Sequence, residues 1–297
     1  MICQFAHHFP KTAGEFLDRA ATLGRSFREE TLTDVLMGAL VAFRPLGVEV
    51  HFPDEPRTGA DMEWLFVRAD GSSYFRLLIQ AKKLHGSGKI WSRRSYPEIF
   101  HRVRKTGILQ SETLVDEARR SRSTCPLYIF YTHQSVCDLA GRDKQILQGI
   151  SLVSGTFINA LVKNKVAGTL GATQASSLGV IQPKMFPLSH LLCSGARRRT
   201  RGRRGTTVLY FLAEGGQVQP SIGVPTPEAI RTRLINIVGP DHDIPPVGEG
   251  SPDVEEKDAA RDDSGRFRVI FWSLGHDEER GWQAWFELNG DFTQGDG

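Results

Sequence analysis

The segment 59–84, GADMEWLFVRADGSSYFRLLIQAKKL, opens one apolar run with an acid and closes the next with Gln80, Ala81 and Lys82. Polar side chains at the end of an apolar strand need a reason to be there. Side chains alternate along a strand, so Leu78, Gln80 and Lys82 share one face while Ile79, Ala81 and Lys83 share the other. If the two runs pair as a hairpin, Asp61 lies near the end of the second, and Asp61, Gln80 and Lys82 converge at one sheet corner. A carboxylate and an amide oxygen beside the Ala81 main-chain carbonyl suit a hard cation, Mg²⁺ or Mn²⁺, which takes oxygen ligands and keeps several waters. Such an ion can activate water and polarise a phosphodiester. Lys82 can orient or deprotonate the attacking water and offset the charge that builds on phosphate. The expected chemistry of this corner is metal-dependent phosphodiester hydrolysis.

A second acid is expected from the helix that begins near Arg28, where Glu29 and Glu30 are adjacent. Its apolar positions Leu32, Val35, Leu36, Ala39, Leu40 and Phe43 form a stripe centred near Leu36 and Ala39. At about 100° per residue, Glu29 falls roughly 50° from the middle of that stripe and Glu30 roughly 150° away. Glu29 is therefore the inward acid, with Thr33 on its flank as a hydrogen-bonding group for a ligand. Glu30 and Asp34 are expected toward solvent at a helix N-terminus that favours negative charge, with Glu30 as a supporting acid.

The elements that must position these groups can be read along the chain. A first helix is expected over 11–23 and a second over 28–43, stopped by Pro45 and Gly47. Strands are expected at 48–52, 61–68 and 74–82 as a three-stranded meander. A helix over 96–120 follows, then a buried strand in PLYIFYTH from Pro126. The stretch 138–194 gives mixed helical and loop signals. A strand is expected at 206–213, a helix at 227–238 with Thr226 as its cap, and a last strand in RFRVIFWSL from Arg266. The place of that last strand in the sheet is open at this point. By this reading residues 1–238 form one α/β domain, 239–265 an acidic flexible loop, and 266–297 a C-terminal strand and frayed tail.

A helix Glu, a strand Asp and a Q-x-K strand end resemble the PD-(D/E)xK nuclease superfamily, in the Q-x-K variant of Mrr-like restriction enzymes. More narrowly, REETLTDVL, GADMEW, LLIQAKKL, the helix from Gln110 to Ala118 and PLYIFY look like a bacterial family of unknown function with that core. The resemblance covers about residues 27–133. It implies a restriction-endonuclease-like α/β core, a central mixed sheet flanked by helices with C-terminal additions. It also implies Mg²⁺-dependent cleavage by Asp61, Gln80, Lys82 and Glu29. The helix after the Q-x-K strand packs beside the site in that superfamily, so Gln110, on one stripe with Leu114 and Ala118, is an expected supporting residue. Gln80 stands where the common pattern has an acid, which removes one negative charge, and Glu63, on the face of Asp61, is available to compensate.

Composition fits these expectations without adding to them. The chain has 297 residues, 37 Lys plus Arg against 34 Asp plus Glu, and 40% hydrophobic residues, as in an ordinary globular protein. Disordered, collagenous and disulfide-built classes are excluded. Cys3, Cys125, Cys137 and Cys193 show no zinc-site spacing and are expected as reduced, mostly buried thiols. GSGK at 86–89 is no phosphate loop, because Lys83 and Ile90 stand where that motif needs Gly and Ser or Thr. No run approaches about 18 apolar residues, and the N-terminus lacks a leader pattern, so a cytoplasmic protein off the membrane is expected.

The charge is unevenly spread. Arg197, Arg198, Arg199, Arg201, Arg203 and Arg204 place six arginines within eight positions. They are expected to engage phosphates without sequence choice, helped by Lys83, Lys89, Arg93 and Arg94, with Trp91 and Tyr96 available to stack on bases. DNA is the expected substrate ahead of RNA, with defence against foreign DNA as the expected role. A defence-system partner, or self-association of the arginine-rich and acidic segments, is a further expectation. The rival reading is a silent nuclease-fold module that binds nucleic acid or a partner protein.

Overall fold

The structure, a computed structural model, describes residues 1–52, 62–85, 94–103, 106–120, 122–140, 147–193, 224–239, 243–250 and 266–273. Asp61, the six arginines at 197–204, the strand expected at 206–213, most of the acidic segment and the tail lie outside them. Among the described residues the helices are α1 (Ile2–Thr22), α2 (Glu29–Val41), α3 (Gln110–Arg120), α4 (Gln134–Leu139), α5 (Gly155–Val166), α6 (Ala172–Ala175), α7 (Leu178–Ile181), α8 (Leu188–Leu192) and α9 (Pro227–Val238). The strands are β1 (Val48–His51), β2 (Met62–Arg68), β3 (Ser73–Lys83), β4 (Thr124–Tyr131), β5 (Ile150–Ser154), β6 (Phe186–Pro187), β7 (Gly248–Glu249) and β8 (Phe267–Ser273). They form one mixed sheet in the order β1-β8-β2-β3-β4-β5-β6, with β7 also pairing β3. The protein is thus α/β with a central mixed sheet between helical layers.

Strand alternation sorts the core into two halves. Leu77, Ile79 and Ala81 of β3 join Leu127, Ile129 and Tyr131 of β4 against α1, α2, α8 and α9. Leu78 of β3 joins Tyr128 and Phe130 of β4 on the opposite side, against α3, α4, α5 and α7. β3 and β4 run parallel, which requires a crossover, and that crossover contains α3. No helix among the described residues is long and apolar enough to cross a membrane.

Several expectations are corrected. The meander is broken: β2 and β3 form the expected antiparallel hairpin, but β8 lies between β1 and β2, antiparallel to the first and parallel to the second. The alternating burial of Phe267, Val269 and Phe271 explains the insertion, since these side chains fill the core that β1 and β2 alone would leave open. The helix expected over 96–120 is two pieces, a 3-10 turn at Pro97–Phe100 and α3 from Gln110. Between them Gly107 has φ +69°, and its carbonyl accepts a bond from the Arg102 guanidinium at 2.7 Å.

The first helix begins at Ile2, through Pro10, although proline inside a helix costs about 3 kcal/mol. Burial of Ile2, Cys3 and Ala6 offsets that, and Cys3 is joined to Cys193 in a disulfide, so only Cys125 and Cys137 are the buried free thiols expected of all four. Packing of α1 along α8 brings together two cysteines 190 positions apart, a proximity that spacing does not reveal. A Cβ on Gly149 would lie 1.9 Å from the Pro10 carbonyl oxygen, so only glycine lets α1 lie against the turn before β5.

Candidate active site

The C-terminal end of β3 is where both helical layers reach the sheet, the kind of strand end at which open α/β sheets bind ligands. Gln80 and Lys82 point to the α3 side, Ala81 and Lys83 to the α1 and α2 side, as alternation requires. Lys82 is almost fully buried, and its Nζ donates to Gln110 Oε1 at 3.1 Å. Gln110 opens α3 and is held there by a bond from its N–H to the His101 carbonyl at 2.9 Å. Gln80 is 2% exposed, and its Oε1 is enclosed with no hydrogen-bond partner among the described residues. An unpaired buried acceptor costs about 1–3 kcal/mol, a penalty that a ligand at this oxygen would remove.

Glu29 opens α2 and comes in from the other layer. The residues that α2 buries are Leu32, Thr33, Leu36, Met37 and Leu40, so the stripe is rotated toward Met37, and Val35, expected inside, is 41% exposed. At about 100° per residue the observed stripe centres within roughly 15° of Glu29 and about 90° from Glu30. Glu30 is accordingly half-buried rather than solvent-facing, with Oε2 enclosed and unbonded among the described residues. Thr33 is fully buried and its Oγ1 pairs with the Tyr131 hydroxyl at 3.2 Å, which uses it inside the core.

The acid that sequence reading misses is Glu98. It sits in the 3-10 turn Pro97–Phe100, and its carboxyl lies near enough to that of Glu29 to favour the protonated form of Glu29. A cation between the two carboxyls would relieve the repulsion that favours this proton. Burial and the Glu98 carboxyl raise the Glu29 pKa above its ordinary value, while the Lys82 ammonium pulls it down. His85 Nε2 lies 3.0 Å from Glu98 Oε1; burial and then Lys83 push the His85 pKa down, opposed by Glu29. The neutral imidazole is therefore favoured there.

A pH dependence follows. A carboxyl whose folded pKa is raised contributes stability that is complete at acid pH and is lost as pH rises through the raised value. A divalent cation between Glu29 and Glu98 would bind the ionised pair and remove that loss. The melting temperature gained on replacing chelator with Mn²⁺ is expected to be larger at about pH 8 than at about pH 5. Glu98→Gln should shrink the gain at the higher pH, and equal gains at both pH values in the parent protein would remove the pair from any cation site.

The other expected residues fall as follows. Asp61 lies outside the described residues; it directly precedes Met62, whose partner across the hairpin is Ile79, the neighbour of Gln80. Glu63 shares the face of Gln80 but is engaged by Arg76 at 3.0 Å and Arg268 at 2.7 Å. Lys83 donates to Ser26 Oγ at 2.9 Å and to the Phe27 carbonyl. Tyr96 is fully buried with its hydroxyl 2.8 Å from Thr132 Oγ1, so it cannot stack on bases. Lys89, Trp91, Arg93 and the six arginines are outside the described residues.

No curated protein and no solved structure matches the chain. Residues 2–263 match a family of unknown function, a span that takes in every described element except β8. That span is most of the chain, and the protein belongs to the family of unknown function DUF6615.

Proposed function

We propose that the protein is a divalent-cation-dependent nuclease of the PD-(D/E)xK type, acting on DNA ahead of RNA. The observation that carries this reading is the enclosed Oε1 of Gln80, which has no hydrogen-bond partner among the described residues, two positions from a buried Lys82 whose ammonium acts on the Glu29 carboxyl. An all-oxygen donor set fits a hard cation, Mg²⁺ or Mn²⁺. Glu29, Glu98, Gln80 and the Ala81 carbonyl would hold it, and Asp61, the further ligand expected from the sequence, lies outside the described residues. Glu98 then restores the negative charge that Gln80 lacks.

When bound, the cation would supply a Lewis acid and a water of lowered pKa. The chain's own residues do the rest. Lys82 offers an ammonium to the attacking water and to the phosphate oxygens, and Gln110 fixes that ammonium in place. His85 Nε2 stands 3.0 Å from Glu98 Oε1. Water is excluded below the site by Tyr128 and Phe130 on the face of Gln80 and Lys82.

The test is cleavage of plasmid, single-stranded DNA and RNA with Mg²⁺ or Mn²⁺. Strand breaks that vanish with chelator are expected; no breaks with either cation on any substrate would defeat the reading. A second reading, a silent nuclease-fold module, is favoured by Gln80 alone, since a neutral ligand weakens cation affinity. A cytoplasmic role in defence belongs to the proposal, and the Cys3–Cys193 disulfide weighs against a reducing compartment.

A further inference from the structure

Beside the β3 end a cleft of about 380 Å³ opens between the last turn of α1, the residues that follow β3, and the start of α4. Its charged walls are Arg25, Lys83 and Arg94, with His85 and His133, against one carboxylate, Asp18. That carboxylate is already used. Asp18 Oδ1 meets His133 Nδ1 at 3.1 Å and accepts from Ser135 Oγ at 2.8 Å, and Oδ2 accepts from Ser135 N at 2.7 Å. The remaining field of the cleft is positive.

Lys83 is the decisive wall. It is 7% exposed, and burying an ammonium costs several kcal/mol unless a charge answers it. Its partners are neutral oxygens, Ser26 Oγ and the Phe27 carbonyl, and among the described residues it has no ion-pair partner. Two of its three N–H donors are thereby used, and the third is left for an anion in the cleft.

The rim is set by a helix stop. Gly24, at φ +65°, lets Arg25 N bond the Ala20 carbonyl at 2.9 Å and Gly24 N bond the Ala21 carbonyl at 3.1 Å. This is the paired bonding that ends helices in a left-handed residue, and it leaves the exposed Arg25 at the mouth. The volume is at the small end of ligand sites, room for a phosphate and its sugar and too little for a duplex. His85 lines the cleft and its Nε2 also lies 3.0 Å from Glu98 Oε1, so this one side chain stands between the cleft and the acid of the candidate site.

We propose that this cleft binds a backbone phosphate of an extended single nucleic-acid strand, next to the phosphate that is cleaved. The strand's identity rests on the nuclease reading; the recognition of phosphate by Arg25, Lys83 and Arg94 does not. The experiment measures binding of a labelled short DNA single strand in chelator, by fluorescence anisotropy over a range of salt. Variants are Arg25→Glu and Arg94→Gln, with melting temperature as the control for folding. Each is expected to weaken binding by about fivefold or more and to lower the salt slope by about 0.7 for each phosphate that is no longer neutralised. Inorganic phosphate should compete with the strand.

Wild-type protein that fails to bind the strand in chelator overturns the proposal, as do folded variants that bind with unchanged affinity and slope. Phosphate alone stabilising wild type, without strand affinity, overturns the strand and assigns a free phosphate instead. Cleavage intact in variants that bind as wild type removes the cleft and leaves the nuclease. Absence of cleavage under either cation, with binding lost in both variants, removes the nuclease and leaves the cleft.

Discussion

Lys82→Met is expected to lower metal-dependent strand cleavage by about 10²–10³-fold while sparing the fold. Methionine fills the space of the buried lysine stem but carries no charge, so what is lost is the ammonium that Gln110 holds at 3.1 Å. In the folded protein that ammonium also pulls the Glu29 pKa down, against burial and Glu98. Its removal should therefore move the loss of stability with pH at Glu29 to higher pH. The same variant separates the roles within the site, because a group that stabilises the transition state is dispensable for binding the cation. Mn²⁺ should still raise its melting temperature. Asp61→Ala, by contrast, should lose both the cleavage and much of that rise. Cleavage by Lys82→Met at the parent rate would end its proposed role, and a cation shift unchanged in Asp61→Ala would take Asp61 out of the ligand set.

The parts of this site that are legible in the sequence are those governed by short-range periodicity. Gln80 and Lys82 share a face because strand side chains alternate, and the hairpin that carries them forms between neighbouring strands. Helical geometry ranks Glu29 above Glu30 as the inward acid; the stripe that α2 buries, with Met37 in the place of Val35, centres nearer Glu29, while both acids are half-buried. The helix at Pro227–Val238 follows from its proline start and its Thr226 cap, whose Oγ1 accepts from Ala229 N at 3.3 Å. What is illegible depends on packing between distant positions. Glu98 lies on a 3-10 turn with no repeat to mark it, 69 positions from Glu29. The Lys83 cleft draws on α1, β3 and α4 together, and β8 enters the sheet more than 190 positions after β2. Each of these is decided by which surfaces pack, information that a local pattern does not contain.

Glu63→Ala is expected to destabilise the protein by about 3–5 kcal/mol, read as a lowered midpoint in urea unfolding at unchanged slope. Glu63 on β2 meets Arg76 on β3 at 3.0 Å and Arg268 on β8 at 2.7 Å, so one carboxylate ties three adjacent strands. The three side chains are 8%, 14% and 21% exposed, too enclosed for the small value of a surface pair to apply. Truncation leaves two guanidiniums in that enclosed setting without the carboxylate that answers them, and β8, which arrives from the far end of the chain, loses a tether to the hairpin. Glu63→Gln keeps the volume and an acceptor, so it should fall between the parent and the alanine variant. The pair of variants also decides what Glu63 is for. A clamp lowers stability with or without cation by the same amount, whereas a metal ligand would shrink the Mn²⁺-induced rise in melting temperature. A loss below about 1 kcal/mol in Glu63→Ala would mean that solvent screens the triad as it screens surface pairs. The hold on β8 would then have to come from the burial of Phe267, Val269 and Phe271 and from the Arg266 bond to Glu117 on α3 at 2.7 Å.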